Sequence, residues 1–133
     1  EHGAIIVARP YCLHWGEWQP DYSRPLESLA RRCFASPISR QFHAPLMDAM
    51  VPDAVEDAIA HHAQGGLFFA MINCRQGCAM VRPVKDALLR EAGIPTVVVD
   101  IDVLDPSFVS DDDIKDKLEG FFEVLAERGA DVL

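Results

Sequence analysis

The sequence predicts an α/β fold built on a short open parallel sheet with helices on both faces. Two observations carry this. Three short apolar runs rich in β-branched residues, at 4–8, 67–72 and 96–99, have the length and continuity of strands buried on both faces. Between and after them lie segments with helical period, set off by proline and glycine. Strands alternating with helices call for right-handed crossovers, and those make the strands parallel neighbours. With 133 residues, half of them apolar, the chain has a core's worth of material for one domain and not two.

The first run, Ala4, Ile5, Ile6, Val7 and Ala8, stops at Arg9-Pro10, where proline cannot donate to a ladder. Residues 11–22 read as a loop of aromatic and polar groups. Pro25 suits a first helical turn, with Glu27 near the positive helix end. Leu26, Leu29, Ala30 and Cys33 then fall on one face, which places Cys33 in the core. Residues 34–46 show no clear period and read as loop with a short edge strand. A second helix should start near Pro52, bury Val55, Ala58 and Ile59, and end at Gly65-Gly66.

After the strand at 67–72, a helix over 83–92 is closed by Gly93 and followed by Pro95 and the third strand. Ser110 can cap the last helix, and Asp111, Asp112 and Asp113 suit its first turn. Its apolar stripe is Ile114, Leu118, Phe121, Phe122 and Leu125, and Gly129 ends it. The acidic run is therefore helix punctuation rather than a metal site. These elements together amount to a Rossmann- or flavodoxin-like half, one domain over residues 1–133; the chain opens at Glu1 rather than methionine, as expected of a processed chain or a piece of a longer one.

The net charge of −9 argues against nucleic acid as a partner, and Arg31, Arg32 and Arg40 read as a solvated face. No apolar stretch approaches the roughly 20 residues of a membrane span, and no leader opens the chain. Four cysteines without a secretory leader fit reduced thiols and a cytoplasmic location better than a disulfide framework.

Open parallel sheets bind ligands outside the carboxyl ends of their strands. Applied here, that rule gathers Cys12, His14 and Trp15 after the first strand, Asn73, Cys74 and Cys78 after the second, and Asp100 and Asp102 at the end of the third. Cys74 follows its strand directly and opens the segment Cys74-Arg75-Gln76-Gly77-Cys78. Soft thiolates select iron–sulfur clusters or zinc, and Arg75 would favour the thiolate form. Two cysteines at this spacing do not complete a four-ligand site, so the spacing leaves ligation and simple burial both open. Cys12 reads as a crevice wall. His61 and His62 end a helix, where cations are favoured. His14 and His43 lie in loops. Asp100 and Asp102 suit a cation, a hydroxyl group or plain solvation. There is no phosphate-binding loop, dinucleotide fingerprint or nucleophile elbow, so any nucleotide hydrolysis belongs to another polypeptide.

The order of segments resembles the C-terminal part of the 2-hydroxyacyl-CoA dehydratase family, which includes the benzoyl-CoA reductase subunits. The resemblance runs nearly end to end: Gly3-Ala4 leading to Tyr11-Cys12; Pro-Leu-Glu-x-Leu-Ala-Arg-Arg at 25–32; the glycine and apolar run at 65–74 ending in Cys74; Gly93-Ile94-Pro95; then Gly120-Phe121-Phe122-Glu123. It implies a [4Fe–4S] cluster with Cys74 as a ligand, completed by cysteines outside this chain, with Cys78 as a further candidate. It also implies an acyl-CoA substrate, a partner subunit of the same family and a separate ATP-hydrolysing electron activator. The dehydratases pass through a ketyl-type radical, and the reductases use similar electron input on an aromatic ring. The chain departs from the pattern at Arg9-Pro10, where many relatives are acidic, and in the extra Cys78. The competing reading is a non-catalytic α/β binding or cluster-assembly module.

Overall fold

The computed structural model describes residues 3–9, 18–36, 46–105 and 107–130. Among them are four helices, α1 Pro25–Ala35, α2 Leu46–Ala60, α3 Arg75–Ala92 and α4 Asp111–Ala130, and two strands, β1 Gly66–Met71 and β2 Thr96–Ile101. The strands are parallel neighbours in register, from Gly66 opposite Thr96 to Met71 opposite Ile101. Their ladder is extended by Gly66 N–H to Pro95 O at 2.8 Å and by Ile72 N–H to Ile101 O at 3.0 Å. A Cβ on residue 66 would stand 2.6 Å from Thr96 Oγ1, so glycine is what lets the two strands start side by side.

The α3 crossover holds the sheet together. Met80, Val84, Ala87 and Leu88 form its buried stripe. They meet Val51 and Val55 of α2, and Ile94, with Phe68 packed alongside. Gly93 closes the helix at φ 68°, and Ile94 N–H reaches back to Leu88 O at 3.0 Å. A non-glycine residue would be strained at that backbone angle.

Alternation along the strands sends Val99 to the face opposite Phe68, where it is fully buried. There α4 packs against β2, and Phe121 and Leu125 lie over Gly65. Helices therefore cover both faces of a short open sheet, as the sequence predicts.

Four expectations need correction. Residues 3–9 form no strand, and Ile5 and Ile6 are 82% and 69% exposed. Apolar β-branched sequence favours a strand only where a neighbouring strand and a packed face receive it, and neither does so here among the described residues. On α1 the stripe of Leu26, Leu29 and Ala30 is exposed, and so is Cys33, which is not in the core. Helical period locates an apolar face but not its partner, and α1 touches no other element among the described residues. Helices α2 and α3 start before Pro52 and Pro83 rather than at them. Each proline forgoes one hydrogen bond inside a helix whose buried stripe, Val51 with Val55 and Met80 with Val84, runs across it. Finally, Ile59 is exposed, and Val51 takes its expected place in the core.

Candidate functional site at the carboxyl edge of the sheet

A tight turn after β1, closed by Cys74 N–H to Met71 O at 2.8 Å, brings the chain from the sheet into α3. Cys74 is the N-cap of that helix, with φ −106° and ψ 96°, and its Sγ accepts from Gly77 N–H at 3.3 Å. One helical turn on, Cys78 N–H bonds to Cys74 O at 2.9 Å, and the Cys78 thiol donates to Met71 O at 3.2 Å. Cys74 is half-buried and Cys78 is exposed. The first turn of α3 carries no carboxylate and starts with Arg75. Cys74 thus stands at the positive end of the helix dipole.

The second strand supplies the other half of the edge. Asn73 Nδ2 donates to Asp102 Oδ1 at 2.6 Å, bridging the two strand ends, and the same oxygen accepts from Leu104 N–H at 2.8 Å. Asp100 faces Lys117 of α4 at 3.6 Å. The structure therefore brings Asn73, Cys74, Cys78 and Asp102 to one edge, with Asp100 a step inward and paired to a cation.

Cys12, His14, Trp15 and His43 lie outside the described residues. His61 and His62 lie just before β1, at the amino end of the sheet, away from this edge; His62 adopts φ 52° as α2 ends. The Asn73–Asp102 bridge was not read from the sequence, because parallel register sets Ile72 beside Asp102 and only the turn after β1 brings Asn73 in. The Asp100–Lys117 pair had no comparable sequence signal, because it depends on where α4 docks.

Chemically, the edge offers two soft sulfur donors one helical turn apart, together with an amide–carboxylate bridge. No group of three or more metal-capable side chains occurs among the described residues. No helix among them is long and apolar enough to cross a membrane. The model of a protein family described as 2-hydroxyglutaryl-CoA dehydratase, D-component, matches residues 1–125. Comparison with curated proteins gives no match, and comparison with solved structures gives none.

Proposed function

This chain belongs to the 2-hydroxyglutaryl-CoA dehydratase D-component family, and on that footing we propose that it is the iron–sulfur-bearing C-terminal domain of a 2-hydroxyacyl-CoA dehydratase or benzoyl-CoA-reductase-like subunit. The observation that carries the reading is Cys74 at the carboxyl end of β1, capping α3 where ligands of open parallel sheets gather. Thiolate sulfur suits iron, and the positive field at the head of α3 suits the anionic charge of a cluster.

The donor set fits such a group in kind and falls short in number. Cys74, with Cys78 as a second candidate, would hold part of a [4Fe–4S] cluster, and cysteines outside this chain would complete it. When bound, the cluster supplies a low-potential electron for radical chemistry on a CoA thioester. This chain's part is to hold that corner and, through the Asn73–Asp102 bridge, to fix the adjoining wall of an acyl-CoA crevice. Cys12, His14, Trp15 and Asp100 are proposed for the same crevice. A partner subunit of the same family, a separate ATP-hydrolysing electron activator and a cytoplasmic setting complete the proposal.

The test is iron content and visible absorbance of the complete, anaerobically prepared protein after reconstitution. Cys74→Ser should lose iron and activity, because a serine hydroxyl lacks sulfur's softness and stays protonated near neutral pH. Cys33→Ser should keep both. Full iron in Cys74→Ser would transfer the role to Cys78. No iron in the unsubstituted protein would favour a binding or cluster-assembly module, which the shortage of donors among the described residues also suits.

A further inference from the structure

Cys78 is a second thiol beside Cys74, one helical turn on. Its N–H bonds to Cys74 O at 2.9 Å and closes that turn. Residues so related have Cα atoms about 6 Å apart, inside the roughly 4.4–6.8 Å that a disulfide spans. Cys74 N–H and the Cys78 thiol also share one acceptor, Met71 O, at 2.8 and 3.2 Å. The Cys78 sulfur is thereby kept within two hydrogen-bond lengths of the Cys74 nitrogen.

From this geometry we propose that Cys74 and Cys78 are a redox pair, which closes to a disulfide under thiol-oxidising conditions and reopens on reduction. Cys74 caps α3 from a non-helical backbone, φ −106° and ψ 96°, and its side chain folds over the first turn, where Sγ accepts from Gly77 N–H at 3.3 Å. The sulfur therefore stands over the turn that carries Cys78. A side chain on residue 77 would begin 3.4 Å from Cys74 Sγ, and glycine leaves that space open. Both thiols are free; Cys78 is exposed and Cys74 half-buried, so a small reagent reaches the pair.

The oxidant is a low-molecular-weight disulfide. One thiolate of the pair attacks its S–S bond, which releases one thiol and leaves a mixed disulfide on the protein. The second thiolate attacks that bond and releases the other thiol. The pair gives up two electrons and two protons, and the reagent becomes two thiols. Met71 O loses the Cys78 thiol but keeps its bond from Cys74 N–H, so closure leaves that acceptor paired. The consequence rests on the reading that Cys74 holds a cluster, and it adds regulation to that site. Thiolate is the form that ligates, so the disulfide withdraws both sulfurs from iron and guards them until they are reduced.

The test is oxidation of the complete, metal-free protein with glutathione disulfide, followed by tryptic mapping without reductant. Trypsin cuts after Arg75, between the two cysteines, so a closed pair appears as two peptides joined by one bond that dithiothreitol separates. That linked species should dominate, while Cys33, exposed on α1, carries glutathione instead. In Cys78→Ser the linked species should vanish and glutathione should stay on Cys74. Cys74 joined to Cys12 or Cys33, or carrying glutathione although Cys78 is present, overturns the proposal. Iron uptake, measured separately, should be lost in the oxidised protein and restored by reduction. Equal uptake by protein whose disulfide has been mapped overturns the guarding role. Absence of iron from both forms counts against the cluster reading alone, and the peptide map still decides the pair.

Discussion

The three described cysteines show how one residue type takes different parts by position. Cys74 caps a helix at the sheet edge, Cys78 bonds back to the strand end, and Cys33 stands on an uncovered helix face. Helical period alone assigned Cys33 to the core, and its exposure reverses the expected consequence of substitution. In this chain Cys33→Ser should change stability by no more than about 0.5 kcal/mol, the usual range for surface sites. Urea midpoints of the two proteins measure it; a loss of several kcal/mol would mean that α1 packs against something in solution. Asn73 marks what a sequence carries only in part. The register sets Ile72, not Asn73, beside Asp102, and the bridge depends also on the turn closed by Cys74 N–H to Met71 O, in which Asn73 lies.

At the level of elements, legibility followed local punctuation. Helix α4 was readable at its start and along its stripe, because cap and stripe both reside in its own residues; its end was not, since Gly129, expected to stop it, stays helical and the helix runs on to Ala130. Ser110 Oγ accepts from Asp113 N–H at 3.1 Å and donates to Asp113 Oδ2 at 2.7 Å. All five stripe residues are half-buried. Helices α2 and α3 were misread at their starts, because a proline marks a helix start when burial does not run past it, and here it does. Replacing Ser110 by alanine should cost about 1 kcal/mol, read from the urea midpoint. The same cap sets a pH dependence. Hydrogen bonds from the Ser110 side chain and then its backbone hold the Asp113 carboxyl below its ordinary range. A lowered folded value stabilises the fold above the unfolded pKa, about 3.9, and that contribution disappears as pH falls through the folded value. Stability should therefore decline below about pH 4, and the Ser110→Ala protein should show a shallower decline over that window. Equal slopes would show that the cap does not act on Asp113.

For the molecule as a whole, the described contacts divide unevenly. Helices α2 and α3, both strands and α4 form one connected set, whereas α1 contacts none of them. The sequence made α1 and residues 3–9 look like core elements because both have apolar patterning. Patterning states which face seeks burial, and the partner that supplies it is a tertiary fact. Hydrogen exchange should expose this division. Amides buried in α3 and β2 open only with the whole core, since Met80 and Val99 are its largest fully buried side chains. Among the described residues α1 contacts no other element and is tied to the chain before it by the bonds from the Trp18–Asp21 segment to Ser28, so its amides open without breaking that core. Exchange followed by mass spectrometry should show α1 peptides exchanging much faster than α3 peptides. Met80→Ala, which leaves a cavity costing about 2–5 kcal/mol, should speed exchange in α3 and both strands and leave α1 unchanged. If α1 and α3 instead slow and quicken together, α1 belongs to the same cooperative unit, and its exposed face is covered in solution.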